Sequence, residues 1–69
     1  SMLVLLINSA TADRLRLKIF DISGKEISSE VINVTAGSKR KENRLKPGSY
    51  VWEVRNSKGE VISQATIVK

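Results

Sequence analysis

Cysteine and histidine are both absent from the 69 residues. Without thiols, neither a disulfide framework nor a thiolate metal site can form. Without imidazole as well, a zinc centre, a Ser-His triad and a thiol nucleophile are excluded. The aromatics are one Phe, one Tyr and one Trp, and none interleaves with the densest run of basic residues. No apolar stripe of helical period persists for two turns. The longest apolar run, MLVLLI (residues 2–7), is six residues. That is far too short to span a bilayer, and as a secretory core it lacks the basic segment that precedes one. No glycine-rich phosphate cradle precedes a helix, because each of the four glycines falls in a turn signal. The seven carboxylates sit in turns or on solvent-facing strand positions, where they serve solvation rather than general acid–base chemistry. The sequence therefore reads as a non-enzyme with no cofactor and no metal.

What remains is a short, basic chain of ordinary apolar content, 41%, with a formal charge of +5. Its length suits one domain over residues 1–69, with Ser1-Met2 readable as an expression scar. A core this small supplies roughly 3–5 kcal/mol of stability. The charge serves solubility in the first instance, and would also steer the domain toward acidic surfaces.

Period-two patterning recurs along the chain. MLVLLIN (Met2–Asn8) reads as a strand apolar on both faces and so suited to burial on both. RLRLKIF (Arg14–Phe20) alternates cleanly, with Leu15, Leu17 and Ile19 on one face and Arg14, Arg16 and Lys18 on the other. DISGK (Asp21–Lys25) is a turn in which Asp accepts backbone bonds and Gly24 takes the positive φ that closes a bulged hairpin. EISSEVINV (Glu26–Val34) is the return strand, less regular and with a bulge expected near Ser28-Ser29. SKRKENR (Ser38–Arg44) carries five charges in seven residues and no apolar side chain, which fits an exposed edge strand or a loop. LKPGS (Leu45–Ser49) has the Pro-Gly signature of a type II turn. Its proline, lacking a donor, belongs before the strand that follows. That strand, YVWEVR (Tyr50–Arg55), places Tyr50, Trp52 and Val54 on one face, and EVISQATIV (Glu60–Val68) closes the chain after a second turn, NSKG.

DISGKEIS and NSKGEVIS share the pattern Asx, x, x, Gly, charge, x, Ile, Ser. The flanking strands do not match, so the echo indicates two similar hairpins rather than a repeat array. Six or so short strands separated by turns make an all-β domain. A small immunoglobulin-like β-sandwich of about six or seven antiparallel strands fits best, since a small open sheet needs a second layer; a small barrel is the alternative. The expected core is Leu5, Ile7, Leu15, Leu17, Ile19, Ile27, Val31, Leu45, Tyr50, Trp52, Val54, Ala65 and Ile67. Tyr50 and Trp52 are read as core anchors before any stacking platform. Lys39, Arg40 and Lys41 are candidate contacts to an anion, phosphate-bearing lipid included, without base-specific reading of nucleic acid. Exposed sheet edges make a strand-paired homodimer feasible in isolation.

The order of the pieces adds a resemblance. LKIFDISGKEI, then LKPGSYVWEVRNSKG, then a strand ending TIVK, resembles the C-terminal sorting domains of type IX secretion cargo. Residues that match that family's pattern are Ile19, Phe20, Asp21, Ser23, Gly24 and Lys25, then Leu45, Pro47, Gly48 and Tyr50, then Ile67, Val68 and Lys69. The resemblance implies an Ig-like module that addresses a cargo of Bacteroidetes-type bacteria to an outer-membrane translocon. It further implies a surface sortase that removes the module and joins the cargo to anionic lipopolysaccharide, or releases it. Recognition is expected at Thr66, Ile67, Val68 and Lys69 together with a sheet edge. The alternative is an Ig-like accessory module of a secreted hydrolase or of a flagellar hook-capping protein, with no role in export.

Overall fold

The computed structural model describes all 69 residues and contains six antiparallel strands and no helix. They are β1 (Met2–Ser9), β2 (Asp13–Asp21), β3 (Glu26–Val34), β4 (Gly37–Arg44), β5 (Ser49–Arg55) and β6 (Val61–Val68). Two sheets form, one of four strands in the order β3-β2-β5-β6 and one of two strands, β1-β4. This is a small sandwich of the immunoglobulin-like kind, 34 × 22 × 16 Å along its principal axes.

Side-chain alternation dictates which face each strand buries. On β2, Leu15, Leu17 and Ile19 point into the core, and Leu17 and Ile19 have no exposed surface at all. They lie across from Val54 and Trp52 of β5, since Leu17 pairs with Val54 and Ile19 with Trp52. Leu3 and Leu5 of β1 cover this layer from the second sheet, with Leu45 and Tyr50 sealing one end. Each fully buried aliphatic of this set contributes about 1.5–3 kcal/mol. Ile7, Trp52 and Ile67 pack at the margin of the core, half-buried.

Three expected core residues lie outside it: Ala65 of β6, which is half-buried, and two residues of β3. Ile27 is 44% exposed, while Val31 is half-buried on the outer face, and Ile32 and Val34 take the interior places. The cause in β3 is register. Ile19 pairs with Ser28 but Phe20 pairs with Glu26, so Ile27 is the extra residue of a bulge and the inward phase of β3 falls on even numbers. The bulge thus falls at Ile27, one position before the Ser28-Ser29 pair. The outer face of β1 also stays open, with Leu6 75% exposed, because no third layer covers the two-stranded sheet.

The charged segment before Leu45 is a full strand. Its eight residues pair with the whole of β1, from Met2 with Arg44 to Ser9 with Gly37. The inward positions of β4 hold Lys39, Lys41 and Asn43, and these polar groups close one flank of the sandwich against β3. Lys41 Nζ lies 2.8 Å from Glu30 Oε2, and Asn43 Nδ2 donates to Glu30 Oε1 at 2.6 Å. Lys39 Nζ donates to the Asn33 carbonyl at 2.8 Å. The opposite flank, between β1 and β6, has no such tie. An apolar groove of about 220 Å³ opens there between Leu5, Leu6 and Ile7 on one side and Trp52, Val54 and Ile62 on the other.

The two echoing hairpins are the same structure twice. Asp21 Oδ1 accepts from the amides of Ser23 and Lys25, both at 3.0 Å, and Asn56 Oδ1 accepts from those of Lys58 and Glu60, also at 3.0 Å. Gly24 donates to the Asp21 carbonyl and Gly59 to that of Asn56, each at 3.0 Å. Both glycines have positive φ, 90° and 80°, a conformation that Cβ-bearing residues adopt only with strain. Even the bulge recurs, since Val54 pairs with Ser63 and Arg55 with Val61, leaving Ile62 out as Ile27 is left out.

Candidate recognition pole

Three chain segments that lie far apart in sequence meet at one end of the sandwich. Cross-strand register brings them there. Asp21 is opposite Tyr50 on β5, and Tyr50 is in turn opposite Ile67 on β6. A single row across three strands therefore carries the start of the first turn, the aromatic anchor and the terminal strand.

The connection from Leu45 to Gly48 is the hub of this pole. Leu45 is buried, and its amide donates to the Ser1 carbonyl at 2.8 Å. Gly48 and Lys69 exchange two backbone bonds, from the Gly48 amide to the Lys69 carbonyl at 3.0 Å and from the Lys69 amide to the Gly48 carbonyl at 2.8 Å. Pro47, exposed, shapes the approach without needing a donor partner. The Tyr50 ring lies over Gly48, close enough that a Cβ there would touch it at 3.6 Å. Its hydroxyl donates to the Lys46 carbonyl at 2.6 Å, which satisfies the polar tip of a buried ring. Thr66 and Val68 stand exposed on the outer side of β6, Ile67 turns into the core and Lys69 is partly covered. β6 is an edge strand, so its outer row of amides and carbonyls has no strand partner.

Beside the hub lies an open cleft of about 600 Å³, lined in part by Asp21, Ile27, Asn43, Lys46 and Tyr50. Asp21 presents a carboxylate there that is already engaged. The Ser23 hydroxyl first, and then the Lys25 amide, hold its carboxyl below the usual carboxylate range. Glu30 is lowered in the same sense by Lys41 and Asn43, and Asp13 by Ser57 and the Arg14 amide. A carboxyl whose folded pKa is depressed contributes stability above its unfolded value and loses it as pH falls through the folded one. The urea midpoint should therefore stay level above about pH 5 and drop below roughly pH 4, where unfolded Asp and Glu begin to protonate. Asp21→Asn should keep the fold, since Asn56 builds the same turn, and should flatten part of that acid limb. Fluorescence of Trp52 during urea titration at several pH values checks both expectations.

The remaining expected residues lie elsewhere. Lys39 and Lys41 face the β3 flank, whereas Arg40 points outward and pairs with Glu42 at 2.8 Å. They do not form one surface. The convergence of Asp21, Leu45–Tyr50 and Thr66–Lys69 is a different matter, because those are the ordered segments that the resemblance rests on. A family model for the secretion system C-terminal sorting domain matches residues 2–69, nearly the full length.

The chain belongs to that family.

No curated protein and no solved structure matches it. A sorting domain of this family is a signal for type IX secretion rather than a catalytic unit. It works through interaction with the secretion machinery and takes its protein to the cell surface or beyond. No group of three or more His, Cys, Asp or Glu residues in the sorting domain is placed to hold a metal.

Proposed function

We propose that the sorting domain is read as a folded object at the pole where Asp21–Lys25, Leu45–Tyr50 and Thr66–Lys69 converge. The observation that carries this reading is the reciprocal Gly48–Lys69 bond pair. It locks Lys69, just after β6, to the Pro-Gly connection, so that β6 presents a fixed edge. A translocon component adds a strand, or a strand-like loop, along β6, gaining main-chain bonds from the edge and side-chain contacts from Thr66 and Val68. Lys25, exposed beside the same row, supplies a charge for orientation. A sortase component then cleaves the cargo free at the surface for attachment or release, in the vicinity of anionic lipopolysaccharide. In isolation the same edge lets two copies pair.

Fusing residues 1–69 to a periplasmic reporter, in a host that has the type IX apparatus, tests the proposal. Surface labelling should find the reporter outside the cell, and a host lacking the translocon should keep it in the periplasm. A reporter retained in both hosts would instead mark the domain as a passive Ig-like spacer.

A further inference from the structure

A second surface lies away from the recognition pole, on the outer face of the four-stranded sheet. Arg14, Arg16 and Lys18 project from β2 and Arg55 from β5, and together with Val31, Asn56 and Ser57 they line an open groove of about 520 Å³. Arg16 and Arg55 are direct cross-strand partners. Like charges in that relation oppose folding, although Arg55 also pairs with Glu53 and donates from Nη1 to the Gly59 carbonyl at 2.9 Å. Local carboxylates offset two of its four cations and leave the guanidiniums of Arg14 and Arg16 without an ion pair. Glu53 is taken by Arg55 Nε at 2.8 Å and Glu26 by Lys18 at 3.3 Å. Asp13, next to Arg14 in sequence, is engaged by Ser57 and the Arg14 amide. Arg16 reaches only the Ser29 hydroxyl, at 3.0 Å, and the Arg14 guanidinium has no ion-pair partner.

We infer that this groove binds a phosphate group. Two guanidiniums free of ion pairs on the lining of one groove, those of Arg14 and Arg16, suit a tetrahedral oxyanion, which offers three or four acceptor oxygens. A carboxylate offers two and is satisfied by one fork. No aromatic side chain lines the groove, so it lacks the stacking surface that single-stranded nucleic acid uses. The phosphate is carried either by a soluble molecule or by a lipid headgroup; the recognition chemistry is shared. Bound anion also removes the Arg16–Arg55 repulsion, so binding should raise the melting temperature.

The test uses the 69-residue chain labelled for NMR and titrated with inorganic phosphate at constant ionic strength. Chemical-shift changes should cluster at Arg14, Arg16, Arg55 and Ser57. Arg14→Gln with Arg16→Gln should weaken binding at least tenfold. The charge-matched pair Lys39→Gln with Arg40→Gln should change it less than twofold. Because Arg16→Gln relieves a like-charge contact, the groove variant should melt no lower than the parent, which separates lost binding from lost fold. A second arm measures co-sedimentation with phosphatidylcholine vesicles with and without phosphatidylglycerol. Binding that requires phosphatidylglycerol and is lost in the groove variant assigns the phosphate to a lipid. Phosphate shifts without vesicle binding assign it to a soluble carrier. Shifts scattered over all basic residues, equal losses in both variant pairs, or no response in either arm would overturn the inference.

Discussion

Replacing Ile19 with alanine is expected to unfold the chain at room temperature. Ile19 has no exposed surface and pairs with Ser28 on one side and Trp52 on the other, at the centre of the larger sheet. A buried Ile→Ala change removes about 2–5 kcal/mol, the spread depending on how far the surroundings collapse into the cavity. A domain of this size has about 3–5 kcal/mol in total. The loss and the reserve are therefore the same size, and the balance tips. Leu17, equally buried, should behave alike. Ile62→Ala serves as the contrast, since Ile62 is 53% exposed at a bulge and should cost about 1 kcal/mol or less. Circular dichroism with urea titration reads all three. A cooperative Ile19→Ala transition with a midpoint close to the parent's would show that the core is far more forgiving than its burial implies.

The second large effect concerns delivery. Deleting Thr66–Lys69 from the reporter fusion should reduce surface display at least tenfold and leave the reporter in the periplasm. The deletion removes the pairing of Ser49 with Val68, Tyr50 with Ile67 and Val51 with Thr66, along with both Gly48–Lys69 bonds. Since it also uncovers Tyr50, a misfolded domain would give the same phenotype. Thr66→Asp with Val68→Asp separates the two causes. Both side chains are exposed, and surface changes away from the core stay within about 0.5 kcal/mol. If the outer side of β6 is read, this folded variant should also fail to reach the surface. Normal export of the double variant, with an unchanged melting temperature, would move the recognition surface elsewhere on the pole.

Much of this architecture is legible in the chain itself. β2 and β5 alternate without interruption, so the faces of Leu15, Leu17 and Ile19 and of Tyr50, Trp52 and Val54 follow from period two alone. The Asx–Gly turns are equally plain, because each residue type answers a defined backbone demand. Reading fails where one residue shifts the phase. Glu26–Val34 contains apolar residues in both phases, and only the bulge at Ile27 decides that Ile32 and Val34 go inward. β4 is hard to read for another reason. It has no apolar side chain, and it pairs along the whole of β1 while Lys39, Lys41 and Asn43 Nδ2 on its inner face bond to Glu30 and the Asn33 carbonyl. The matching motifs are visible as a sequence order, but their meeting at one pole depends on the Asp21–Tyr50–Ile67 row. The Arg16–Arg55 contact is hidden similarly, because 39 positions separate the two arginines and only the register of β2 on β5 joins them.

The bonds from Ser1 to Leu45 and from Lys69 to Gly48 tether the first and last residues to one four-residue connection. At 3.8 Å per step, the two tether points are at most about 11 Å apart. Traction on these ends would therefore peel the layers apart from that corner, breaking contacts successively rather than shearing whole ladders at once.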